Sequence, residues 1–183
     1  MGYPEMMRDV MEQIRREEIR KRRQEIENIT IIDHVTGLYN RGYFHLRLDE
    51  EMLRSKLYGN NLSLIFLDVV ISSDEDCKIG NAIDHKTTKA ISEIISVCLR
   101  DGMNLTFLYD KGKFAIILPE VNKHEANLTA FRIRKMIRKA NIKNVNTRTG
   151  IVQYDNDEHA EELIKSANDA LYEAMKSDGQ REN

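Results

Sequence analysis

An α+β domain, a mixed β-sheet packed by helices, is the fold class this sequence predicts, and three observations predict it. Long stretches carry helical periodicity, short apolar runs between them read as strands, and two of those strands are separated by only Asp110-Lys-Gly-Lys113. Strands alternating with helices imply crossover connections, whereas a tight hairpin implies an antiparallel pair, so the sheet is mixed. A ferredoxin-like palm is among the arrangements this order permits. Periodicity alone goes no further.

The elements follow in order. Residues 5–32 contain neither glycine nor proline and interleave bases such as Arg15, Arg16 and Lys21 with acids such as Glu12 and Glu17. Pairs spaced i,i+4 predict a long N-terminal helix, and its apolar stripe (Val10, Ile14, Ile26) is narrow and broken. It reads either as a protruding arm or as a helix that pairs with another copy or a partner. A lone polar helix buries too little to stand alone, which favours pairing. Turn residues then surround Gly37 and Asn40, and a helix follows over 41–58 with Phe44, Leu48, Met52, Leu53 and Leu57 near one face. Gly59 terminates it. Leu62 to Leu67 reads as a buried strand that delivers Asp68 at its end. After an acidic connection comes a helix over 83–100 with Thr87, Ile91, Ile94, Ile95 and Cys98 inward. Strands over 104–109 and 114–118 form the hairpin. A helix over 124–141, with Ala126, Ala130, Ile133, Ile137 and Ala140 inward, precedes a strand over 147–154. The last helix, over 160–176, carries Leu163, Ala167, Ala170, Leu171 and Ala174.

Composition narrows the function classes. The 183 residues are 41% hydrophobic and 32% charged with a formal net charge of −2, the profile of a globular domain rather than a nucleic-acid binder. No apolar window is long enough for a membrane span, and the start lacks an apolar signal core, so a cytoplasmic location is expected. Cys77 and Cys98 form no CxxC, and the five histidines show no ligand spacing, so no metal and no cofactor are expected.

Specificity enters at Asp33. The string Asp33-His-Val-Thr-Gly-Leu-Tyr-Asn-Arg41 resembles the D-x-L-T-G-L-x-N-R signature that opens GGDEF domains, with Val35 in place of the usual leucine. Phe114-Ala-Ile-Ile-Leu-Pro119 resembles the strand after that family's signature hairpin, and residues 160–174 resemble its terminal helix. The resemblance covers about Ile31 to Gly179 and implies a nucleotidyl-cyclase palm: a mixed sheet flanked by helices, here behind the long N-terminal helix. It divides the chain into a signalling helix at 1–32 and a GGDEF-like domain at 33–183. Asp33, Thr36, Gly37, Leu38, Asn40 and Arg41 are then structural signature residues.

The family condenses two GTP molecules into cyclic di-GMP, one held by each domain of a facing pair. Divalent metals bridge the triphosphate, and hard cations want carboxylate oxygens. The resemblance places one such carboxylate at Asp68, but the aspartate usual two residues on is Val70. The G-G-[DE]-E-F hairpin reads Asp110-Lys111-Gly112-Lys113-Phe114, so the metal-binding acid is Gly112 and the next acid is a base. Asp76 and His85 replace the guanine-reading asparagine and aspartate, Met175 replaces a phosphate-contacting lysine, and Arg100-Asp-Gly-Met103 lacks the last acid of the inhibitory R-x-x-D motif. Asp68, Asp76, Asp110, Lys111, Gly112 and Lys113 therefore read as a vestigial site without a catalytic residue.

What this implies is a non-enzymatic domain of bacterial signalling, working by dimerisation or contact with another signalling protein through its N-terminal helix, with nucleotide binding weak or absent. The alternatives are a residual diguanylate cyclase and a non-catalytic guanine-nucleotide sensor. Lys111 and Lys113 read as a solvated turn released from constraint, and the basic residues between Arg132 and Arg148 as a solvated face.

Overall fold

The computed structural model describes residues 31–71, 83–99 and 105–179. The expected N-terminal helix, the acidic connection with Asp76 and Cys77, and Arg100 to Met103 lie outside the described residues. Within them the order is β1 (Tyr39–Asn40), α1 (Arg41–Tyr58), β2 (Leu62–Ile71), α2 (His85–Cys98), β3 (Leu105–Asp110), β4 (Lys113–Pro119), α3 (Lys123–Lys139), β5 (Val145–Gln153) and α4 (Ala160–Gly179). The strands form one sheet of order β1-β3-β4-β2-β5. β1 pairs parallel with β3 and the other pairs are antiparallel, so the sheet is mixed as expected.

Caps explain where the helices start and stop. Asn40 caps α1 by accepting from the Tyr43 amide, and Gly59 ends the helix in the left-handed conformation at φ 69°. Asp84 caps α2, and Asn122 with Glu125 forms a capping box on α3. Central β2 is buried on both faces over Leu62 to Leu67 because helices cover both sides of the sheet. Ile65, Leu67, Phe114 and Ile116 pack with Ile91 and Ile95 of α2 and Ile133 and Ile137 of α3. Leu64, Phe66, Ala115 and Ile117 face the opposite way, onto Phe44 and Leu48 of α1 and Leu163, Ala167 and Leu171 of α4.

Several expectations need correction. β2 does not stop at Leu67, so Asp68 lies inside a paired strand rather than at its end. On α1 the buried line is Phe44, Leu48, Glu51, Met52 and Ser55, and Leu53 and Leu57 are exposed because they fall on the opposite side of the helix. In α2 the buried threonine is Thr88 rather than Thr87. Ala140 is the exposed C-cap of α3 instead of a core residue. The hairpin is tighter than four residues, because Asp110 pairs with Lys113 and only Lys111 and Gly112 make the turn. β1, two residues long, had no periodic signal.

Candidate functional site

The stretch from Asp33 to Arg41 is a hydrogen-bonded loop that aims α1. The Asp33 carboxylate accepts from the amides of Val35 (3.2 Å) and Thr36 (2.8 Å) and from the Thr36 hydroxyl (2.7 Å). Gly37, at φ 72°, closes the turn by donating its amide to the Asp33 carbonyl at 2.9 Å. Leu38 then drops into the core beside α2, and the Ser92 hydroxyl on α2 donates to the Thr36 carbonyl at 3.3 Å. Asn40 caps α1, which places the Arg41 guanidinium 4.6 Å from the centre of the Tyr109 ring.

Asp68 sits across from Lys113 on β4 and Arg148 on β5. Side chains on a strand alternate, so these three share the sheet face that carries Phe66 and looks toward α4. Lys113 is half-buried there, not solvated. Its ammonium donates to the Asn168 side-chain carbonyl on α4 and lies 4.6 Å from the Phe66 ring centre and 5.5 Å from that of Tyr109. Lys111, by contrast, is exposed, in keeping with a solvated turn. The Asp110 carboxylate is also exposed and accepts from the Lys111 amide at 2.7 Å. Gly112 is buried at φ 73°, and its carbonyl accepts from the Val69 amide at 2.9 Å.

Electrostatics follow from this placement. Burial pushes the Asp68 carboxyl above the ordinary carboxylate value, against the opposing pull of Lys113 and Arg148. Burial likewise holds the Lys113 ammonium below its ordinary value, although Asp68 and Asp110 both favour its charge. A carboxyl raised in the folded state supplies stability at low pH that is lost as pH climbs through the folded value. The stability difference between the protein and Asp68→Asn is therefore expected to move in the variant's favour over the range above about pH 4. Thermal melts across that range check this, and a difference that does not change with pH contradicts it.

Of the six positions expected to form a vestigial site, the structure brings Asp68 and Lys113 together with Gly112 beside them, turns Asp110 and Lys111 to solvent, and does not describe Asp76. Sequence reasoning missed Asn168, Phe66 and Tyr109 as the seat of the Lys113 ammonium. Alternation along β4 sets Lys113 on the face of Ala115, but no signal in the sequence brings Asn168 to it. Among the described residues no three histidine, cysteine or acidic side chains converge as a metal site, and no helix there is long and apolar enough to cross a membrane.

Residues 30–181 match the family model described as diguanylate cyclase, GGDEF domain. The diguanylate cyclase DgcM of Escherichia coli K12 is 27% identical over 177 residues, covering 95% of this chain and 41% of that protein. The diguanylate cyclase DosC of the same strain is 25% identical over 181 residues, covering 93% of this chain and 36% of its own length. The chain thus spans less than half the length of these relatives. Among solved structures, the diguanylate cyclase SiaD of Pseudomonas aeruginosa, in complex with its activator SiaC, superposes with a TM-score of 0.70 at 22% identity, covering 96% of this chain and 71% of that one. The FimX GGDEF domain of the same organism gives a TM-score of 0.69 at 15% identity, covering 81% of this chain and 95% of its own. At these identities the structures speak to fold alone.

Proposed function

Because the chain belongs to the GGDEF domain family and is homologous to diguanylate cyclases of cyclic di-GMP signalling, we propose that it serves such signalling without making the messenger. The observation that carries this reading is Lys113: a side-chain cation faces Asp68 where the family's hairpin presents carboxylates. The donor set does not fit a divalent ion. Asp68 is one carboxyl whose charged form burial disfavours, its register partners Lys113 and Arg148 are cationic, and the second acid position is a glycine. A bound Mg²⁺ beside the Lys113 ammonium would meet like charge in a desolvated place, where repulsion is least screened.

A domain without a metal clamp retains two means of acting: its surface and the segment that precedes it. Contact with other signalling proteins, with residues 1–32 as a coupling helix in front of a domain at 33–183, is the role proposed, in the cytoplasm where the messenger is made and read. The diguanylate cyclase SiaD, solved in complex with its activator SiaC, offers a parallel for protein contact. The reading predicts no GTP affinity tighter than about 100 μM, or about −5.5 kcal/mol, with or without Mg²⁺. Isothermal titration calorimetry on the full chain checks this. Low-micromolar, guanine-selective binding would instead favour a nucleotide sensor.

A further inference from the structure

The outer face of α1 carries a feature that neither the fold nor the vestigial site uses. Leu46, Leu53 and Leu57 are 54%, 60% and 69% exposed. At 100° per residue they fall along one line, opposite the buried line of Phe44, Leu48, Met52 and Ser55. Isolated exposed leucines are ordinary on protein surfaces. Three at intervals of seven and four residues are the spacing of a coiled-coil seam, and they extend over about 16 Å of helix. Glu50, beside the seam, is drawn to Arg47 at 2.6 Å on the flank away from Asp49 and Lys56.

Charge identifies what the seam fits. Asp49 and Lys56 are both exposed, lie on one flank of the leucine line and are seven residues apart. Two such helices packed antiparallel bring each flank against the same flank of the other copy. With a two-fold axis level with residue 52, Leu46 meets Leu57 of the second copy and Asp49 meets its Lys56, twice over. Parallel packing sets opposite flanks together and leaves this pair unused. A lipid surface is disfavoured, because Asp49 and Glu50 border the stripe. We propose that α1 is a docking surface for a second copy of this chain, forming an antiparallel, isologous α1–α1 contact. The proposal deepens the contact role proposed above by naming a partner, and it does not depend on whether the vestigial site turns over GTP.

Sedimentation equilibrium on the full chain tests it. The seam is short, so a dissociation constant of roughly 10–100 μM is expected. Leu53→Asp sets a charge in the seam and should weaken association at least about tenfold. It should leave the circular dichroism unchanged, since Leu53 belongs to neither core cluster among the described residues. Asp49→Lys should weaken association about threefold, and Asp49→Lys combined with Lys56→Asp should return it to the starting value. A chain that is monomeric at about 200 μM, association indifferent to Leu53→Asp, or a double swap that fails to restore it would each overturn the proposal. Such a result alongside absent cyclic di-GMP synthesis would remove this surface and leave the inactive-domain reading standing.

Discussion

Gly150→Ala is expected to destabilise the domain by about 3 kcal/mol. A Cβ at Gly150 would lie 2.1 Å from the Ala167 carbonyl oxygen and 2.7 Å from the Leu171 amide nitrogen. Both are backbone atoms of α4, so no rotamer change can relieve the clash and the helix itself must lift from β5. Ala167 and Leu171 are buried in the core shared with α1, and the displacement would spread into that packing. Urea denaturation measures the effect as a lowered midpoint. A loss below about 0.5 kcal/mol, the range of neutral surface changes, would show that α4 sits farther from the sheet than these distances.

The second expected result concerns reversal. Restoring family acids with Gly112→Glu and Lys113→Glu is expected to cost about 2 kcal/mol of stability and to yield no metal site. Gly112 occupies the left-handed region at φ 73°, and a Cβ there would lie 2.8 Å from Cδ1 of Ile83 and 3.0 Å from the Val69 carbonyl. The two-residue turn therefore leaves no room for a side chain at this position. Reversing Lys113 would also set a carboxylate against Asp68 and withdraw the donor that reaches Asn168. Chemical denaturation and Mn²⁺ calorimetry on the double variant test this. A variant as stable as the parent that binds Mn²⁺ at micromolar concentration would refute it.

How far the sequence could be read depends on which force sets each feature. The expected elements within the described residues, and the mixed sheet they build, were legible because helices and strands carry different periodicities and caps mark several helix ends, as with Asn122 and Glu125 at α3. Leu53 and Leu57 misled because composition reports that leucine is present, while helical phase decides which side it faces. β1 was invisible: Tyr39 and Asn40 pair with β3 through backbone geometry that no two-residue pattern encodes. At the site, that positions 112 and 113 hold a glycine and a lysine rather than acids could be seen in the sequence itself. The seat of Lys113 could not, because Asn168 lies 55 residues away and reaches it only once α4 packs across the sheet. A lysine at a turn reads as solvated until tertiary structure supplies rings and a carbonyl to hold its ammonium.

The measurement that bears most directly on the proposed function is turnover. Incubating the full chain with GTP and either Mg²⁺ or Mn²⁺, and analysing the products by liquid chromatography with mass spectrometry, is expected to show no cyclic di-GMP above the protein-free control. The comparison needs no variant to be interpretable, but Asp68→Ala provides the control for an unexpected signal. Asp68 has no role in turnover in a domain without synthesis, so the parent and this variant should be indistinguishable. Robust cyclic di-GMP from the parent that disappears in Asp68→Ala would contradict it, placing a working metal site beside Lys113.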